Sequence, residues 1–387
     1  MIYLDNNATT QMDSTVVETM LPYLREKFGN PSSRHRQGRA ARAAIDTARE
    51  QVARLVSAHP SQVIFTGSGT EANNLAIKGY VAGVTPGRLF IGSTEHPSVT
   101  STADKQARLD GWSKLELPVT ENGLLSDEAM ELLNMAKPGD LVSVMLANNE
   151  TGVIQPISEL YGQLGLIDKG IVIHTDAVQA AGKIALKFSA LGVHMMTLSA
   201  HKIHGPKGIG ALIRDKSIAI EPQMDGGGHE AGLRSGTENV AAIVGFGAAA
   251  VLAHENLVQT NEKLLALRTK LENGLKTIPG IEIIADKTKR LANTSCFTMA
   301  SVEGETMLMM LDKAGIAIAS GSACSSHDNT PSKTLTVMGL DQSRARRALR
   351  VSLGKDNTEN EVDIFLDTLK MKLASFNSIA SNVAIRA

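Results

Sequence analysis

A lysine stands three residues beyond an apolar run at 196–199, in the stretch Ser199-Ala-His201-Lys202-Ile-His-Gly-Pro-Lys-Gly208. A lysine boxed in by His, Gly and Pro at a strand end can be desolvated. That lowers its pKa and leaves an amine able to form a Schiff base with a carbonyl. Ser199 and His201 beside it can donate hydrogen bonds to an anion. Taken alone, the run reads equally well as a basic surface loop. Gly67-Ser-Gly69-Thr70-Glu71 sits between a predicted strand and a predicted helix. Its glycines would let backbone N–H groups approach a phosphate at a helix N-terminus, although an ordinary capped turn has the same look. His174-Thr-Asp176-Ala-Val-Gln179 follows another apolar run. An ionised Asp176 there could pair with a protonated ring nitrogen, and Gln179 could donate to a phenolate oxygen; a lone buried Asp capping a helix is the plainer alternative.

Three further clusters extend the same pattern. His96, in Glu95-His96-Pro-Ser-Val99, could lie over a flat cofactor and move protons, or serve only as structure. Asn148, in Ala147-Asn148-Asn149-Glu150-Thr151-Gly152, begins a polar group at the end of an apolar run. Arg350 enters an apolar strand, where its guanidinium must be paired or exposed; a bidentate clamp on a carboxylate is the functional reading. Arg344, Arg346 and Arg347 read instead as a solvated helix face. Of the two cysteines, Cys324 lies in Ser320-Gly-Ser-Ala-Cys324-Ser-Ser326, with no bulky neighbour to bury it, and so reads as a reactive thiol. Cys296 lies in an apolar strand pattern and reads as core. No metal-ligand spacing is recognised.

The elements that must position these residues alternate. Strands are expected at 62–66, 89–91, 115–119, 141–147, 171–174, 196–199 and 210–213, with helices from Glu71, over 97–112 and from Ser126. This spacing argues for an α/β fold with a mostly parallel, helix-covered sheet of about seven strands. The first five clusters fall at the carboxyl ends of those strands, where open α/β sheets bind ligands. A long helix over 244–277 should then lead to a smaller α+β unit with strands at 281–284, 294–299 and 316–319. A helix is expected from Glu305, and a last one opens at Thr358 with Glu361 completing a capping box. The expected division is a large domain over 15–255 and a small one formed by 1–14 and 256–387.

Composition narrows the function. A chain of 387 residues, 43% apolar, can bury two such cores. Aromatics at 3% and a formal net charge of -1 argue against nucleic acid as a partner. There is no stretch apolar enough for a membrane span and no secretory pattern, and two cysteines make no disulfide framework; the cytoplasm is the expected location.

Together these motifs resemble the cysteine desulfurases of the NifS and IscS type, within the class V aminotransferases of pyridoxal-phosphate (PLP) fold type I. The resemblance runs from LDNNATT (4–10) and FGNPSSRH (28–35), through the clusters above and GLRSGTEN (232–239), to SGSACSS (320–326) and RVSLG (350–354). It implies that Lys202 carries PLP as a Schiff base and that Asp176 and Gln179 contact its ring nitrogen and ring oxygen. It implies that His96 stacks on the ring and that Gly69, Thr70, Ser199 and His201 hold its phosphate. Asn148 is expected to contact cofactor or substrate, and Arg350 to bind the carboxylate of L-cysteine. Cys324 would take the sulfur as a persulfide, leaving L-alanine, and pass it to an iron–sulfur scaffold or another acceptor. Thr237 would reach the phosphate in the partner subunit of a homodimer. TGSGTEAN (66–73) and TPSKTL (330–335) depart from the family's usual patterns. Selenocysteine lyase, another PLP lyase or aminotransferase, and a non-catalytic sulfur carrier are the competing readings.

Overall fold

The structure, a computed structural model, describes residues 1–321 and 330–384. The chain begins with a short strand, β1 (Ile2–Tyr3), then two helices, α1 (Ser14–Arg25) and α2 (Arg36–Leu55). The alternating stretch follows: β2 (Val63–Thr66), α3 (Gly69–Ala82), β3 (Arg88–Gly92), α4 (Pro97–Leu109), β4 (Ser113–Leu117), α5 (Asp127–Asn134), β5 (Leu141–Ser143), α6 (Ile157–Leu164), β6 (Val172–Asp176), β7 (Met195–Ser199) and β8 (Gly210–Arg214). These seven strands form one sheet in the order β2-β8-β7-β6-β5-β3-β4. Only β8 runs against its neighbours.

Both faces of the sheet are covered, which is why its strands, the edge strand β4 apart, are buried almost throughout rather than alternately. Phe90, Val142, Ile173 and Met196 face a core shared with α2 and with α7 (Val240–Glu255), while Leu89, Leu141, Val172 and Met195 face α3 and α4. The remainder is α8 (Leu257–Lys276), β9 (Ile281–Ile283), β10 (Thr294–Met299), α9 (Gly304–Asp312), β11 (Ile316–Ala317), β12 (Ala319–Ser320), α10 (Lys333–Val337), α11 (Gln342–Arg346), β13 (Ala348–Ser352) and α12 (Glu359–Ala384). Here β12-β13-β10-β9 make an antiparallel sheet over a second core, and β1 pairs with β11.

Three expected elements come out differently. The helix expected over 244–277 is two helices, α7 and α8, bent by 71°. At the bend Asn256 turns its side-chain amide onto the Leu252 carbonyl (2.8 Å), a local bond that competes with the helical ladder. The strand expected over 141–147 is regular only to Ser143: Val144 and Leu146 N–H still donate to the His174 and Asp176 carbonyls of β6 (3.3 and 3.0 Å), but on the other side Met145 N–H goes to the Glu95 carboxyl instead of β3. The strand expected over 316–319 divides between two sheets, β11 pairing with β1 and β12 with β13. The capping box at the last helix forms as read: Thr358 N–H donates to Glu361 Oε2 (2.9 Å) and Glu361 N–H to Thr358 Oγ1 (3.3 Å).

Candidate active site

The carboxyl ends of β2, β3, β5, β6 and β7 open into one cavity of about 330 Å³. After β2, Ser68 caps α3 by accepting from Glu71 N–H (3.1 Å), while Glu71 Oε2 accepts from Gly67 N–H (2.7 Å). This closed turn presents Ser68, Gly69 and Thr70 to the cavity at a helix N-terminus, where backbone donors and dipole favour an anion. Gly210 of β8 backs the turn so closely that a Cβ there would lie 2.5 Å from the Ser68 carbonyl carbon. Ser199 and His201 line the same cavity from the end of β7. Burial, reinforced by the charges of Lys202, Lys207 and Lys183, lowers the His201 pKa to about 4, so the ring is neutral there and can both donate and accept.

His96 caps α4 ahead of Pro97. Its Nδ1 accepts from Ser98 N–H (3.1 Å) and lies 2.8 Å from Ser98 Oγ. Burial holds its pKa below the usual value; the Lys202 charge acts in the same direction and Asp176 opposes it. With Nδ1 an acceptor, the proton of the neutral ring sits on Nε2. Asp176 ends β6, buried, its Oδ1 accepting from Val178 N–H (2.9 Å) and its Oδ2 from Asn73 Nδ2 (2.8 Å). Gln179 donates through Nε2 to the Asn7 carbonyl (2.9 Å). Lys202 Nζ donates to the carbonyls of Asn7 (2.5 Å) and Ala8 (2.8 Å).

Arg350 reaches the cavity from the middle of β13. Its Nη2 donates to Asp5 (2.6 Å) and its Nη1 to the Asn149 carbonyl (3.0 Å), and its buried Nε has no partner among the described residues. Directly across the strand pair lies Cys296, whose thiol burial pushes up to about 12; it is an inert core residue, as its sequence context predicts.

Two expected residues stand elsewhere in the subunit. Asn148 is buried outside the cavity lining. Its Oδ1 accepts from Glu150 N–H (2.9 Å), Thr151 N–H (2.9 Å) and Thr151 Oγ1 (3.1 Å), so it builds the loop while its neighbour Asn149 lines the cavity. Thr237 is exposed and away from this cavity. Cys324 lies outside the described residues. Sequence reading gave no role to Asp5, Asn7, Asn73 or Met145. Asn73 was within reach of it, three residues after Thr70 on a helix and therefore on the same face. Asp5 and Asn7 carried only the signal of polar residues directly after an apolar strand.

The cavity thus joins a lysine amine, a buried carboxylate, a neutral imidazole and a glycine turn at a helix N-terminus, with an arginine at its edge. Relatives are found over nearly the whole chain. A "Cysteine desulfurase IscS" of Dechloromonas aromatica (strain RCB) is 43% identical, over 98% of this chain and 94% of the relative. A "Cysteine desulfurase NifS" of Azotobacter vinelandii is 41% identical, over 94% and 90%. Among solved structures, a "NIFS-LIKE PROTEIN" superposes with a TM-score of 0.89 at 36% identity, covering 96% of this chain and 99% of that one. A NifS-like protein from Rickettsia africae ESF-5 gives 0.86 at 35%, covering 96% and 99%. The family model described as "Aminotransferase class-V" matches residues 2–365. With its sheet, its lysine and its cavity arranged as they are, the chain belongs to the class V aminotransferases.

Proposed function

We propose that the chain is a PLP-dependent cysteine desulfurase that moves the sulfur of L-cysteine onto Cys324 and releases L-alanine. The observation that carries this reading is the convergence of Lys202, Asp176, Gln179, His96 and the Ser68–Thr70 turn on one cavity, in a chain whose relatives bear that name.

The residues present suit PLP. The cavity of about 330 Å³ lies within the size range of small-molecule sites. The turn at Ser68–Thr70, with Ser199 and His201, offers donors to a phosphate at one end. Asp176, already tied by Asn73 and Val178, offers a buried carboxylate to a ring nitrogen at the other. When bound, PLP supplies an aldehyde for the substrate amine and a ring that accepts electrons released at the substrate Cα.

The protein groups then divide the work. Asp176 would accept the hydrogen bond of a protonated ring nitrogen. Gln179 Nε2 is the donor for the ring oxygen. Lys202 Nζ would take the proton from the substrate Cα, and the Nε2–H of the neutral His96 ring would be the hydrogen-bond donor on the cavity side of that transfer. Arg350 receives the substrate carboxylate, for which it must exchange Asp5 or use its unpaired Nε. The Cys324 thiolate attacks the substrate sulfur: an S–S bond forms, the Cβ–S bond breaks, and its electron pair remains with the carbon fragment that becomes alanine after protonation. The same reading takes 15–255 as the cofactor-binding unit and 1–14 with 256–387 as the unit carrying Cys324. It also assigns Thr237 to the phosphate of a partner subunit in a homodimer. The final acceptor is another protein, by preference an iron–sulfur scaffold.

The test is to incubate the protein with PLP, L-cysteine and a thiol reductant and measure sulfide and alanine together. Equal amounts of both are expected, and both should be lost in Cys324→Ala while the bound cofactor keeps its colour. Undiminished sulfide release by Cys324→Ala would overturn the persulfide role.

A further inference from the structure

Behind Gln179 lies a lysine that the reaction outlined above does not use. Lys183 lines a second cavity, of about 300 Å³, which has Lys202 in common with the first. Its Nζ donates to the Gln179 backbone carbonyl (3.1 Å) and to Gln179 Oε1 (3.1 Å). Burial, followed by the positive charges of Lys202 and Arg350, brings its ammonium down to about 7. In either protonation state it retains at least two N–H donors, enough for both bonds.

The consequence lies in the Gln179 amide. A carboxamide has a donor end and an acceptor end of nearly the same shape, and its terminal torsion is soft. The Asn7 carbonyl favours the donor end, but that oxygen also takes the Lys202 amine at 2.5 Å and so is a shared acceptor. Lys183 engages the other end as a donor, with its N–H groups committed to the Gln179 carbonyl and Oε1, and so favours an acceptor there. It therefore sets Oε1 away from the cofactor cavity and Nε2 toward it. Lys183, Gln179, Asn7 and Lys202 form one continuous chain of hydrogen bonds joining the two cavities.

We propose that Lys183 is a positioning residue that acts through Gln179, fixing which end of its amide faces the cofactor cavity. This rests on the reading of that cavity as a PLP site. A double-mutant cycle on Lys183→Met and Gln179→Leu tests it, read by the PLP dissociation constant and the absorbance maximum of the bound cofactor, with unfolding curves as the check on folding. Lys183→Met is expected to weaken PLP roughly tenfold, about one hydrogen bond, and to shift the absorbance. Lys183→Arg, which keeps the donors, should restore most of both. In the Gln179→Leu background, Lys183→Met should change PLP affinity by less than about twofold, since its route of action is gone. Losses that simply multiply in the double variant, or a Lys183→Met protein with the parent's spectrum and affinity, would overturn the proposal and leave the PLP site standing. If Lys183→Met does not fold, Lys183→Ala, which likewise removes the donors, takes its place in the cycle with the same expectations. A parent protein that binds no PLP would overturn the site reading, and this inference with it.

Discussion

His96 shows how a single residue is made ready by its immediate surroundings. Pro97 and the helix start hold the ring, Ser98 N–H occupies Nδ1, and burial keeps the imidazole neutral to a lower pH than usual. For a group whose pKa is lowered, the neutral form, here the one with its proton on Nε2, is complete above the lowered value and disappears as pH falls through it. The acid limb of turnover with cysteine should therefore lie below the ordinary histidine value of about 6.5. His96→Gln should cost roughly 10²–10⁴ in turnover and remove that limb; a limb unchanged in the variant would take His96 out of the proton transfer. Residues of this kind were legible because each follows a strand end and its chemistry is local to a few neighbours. Asn148 was misread for a matching reason: adjacent residues in a tight loop face different ways, and composition cannot say that Asn149, not Asn148, lines the cavity. Asp5 was illegible as the Arg350 partner because 345 residues separate them.

At the scale of elements, the site depends on how closely strands and turns approach. The Ser68–Thr70 turn is supported from behind by β8, and Gly210 permits that contact by lacking a side chain. In Gly210→Ala the added carbon would meet backbone at 2.5 Å, so the turn or the strand must move. A loss of about 1–3 kcal/mol in urea unfolding is expected, as for overpacking elsewhere, together with weaker PLP binding. A variant with the parent's stability and affinity would show that the turn has room to shift. The strands themselves were readable, since a buried parallel sheet writes continuous apolar runs into the sequence. Their ends were less so. Residues 141–147 form one apolar run, yet pairing on the β3 side stops where a buried glutamate claims the Met145 amide; helical composition across Asn256 likewise conceals a cap that ends one helix and starts the next. In both places a side chain outcompeted the backbone, which an averaged pattern does not register.

For the molecule as a whole, the question is what holds the second core over the mouth of the large sheet. Apolar contact contributes through Val153, Cys296, Leu335 and Met338, but next to the cavity the seam is polar and rich in asparagine. Asn7 is at its centre. Its N–H donates to Ser352 Oγ (2.9 Å), its Nδ2 to Thr294 Oγ1 (2.9 Å) and the Asn149 carbonyl (3.1 Å), and its Oδ1 accepts from Asn293 Nδ2 (2.9 Å). Its own carbonyl takes Gln179 and Lys202. One side chain thus ties β10 to the loop after β5, while its backbone joins β13 to the cavity that holds Gln179 and Lys202. A directional seam of this kind fixes relative placement more strictly than apolar contact, because every buried polar group must find its partner. Asn7→Ala keeps the backbone bonds and strands the partners of the side chain. About 2–4 kcal/mol of stability should be lost, from several buried groups left unpaired at roughly 1–3 kcal/mol each before relaxation. PLP should also be released at lower urea than in the parent, because the carbonyl opposite Lys202 loses its anchorage. Both effects can be followed in one titration, by cofactor absorbance and by circular dichroism. Parallel loss of cofactor and fold, at a midpoint equal to the parent's, would mean that the apolar contact alone secures the two cores.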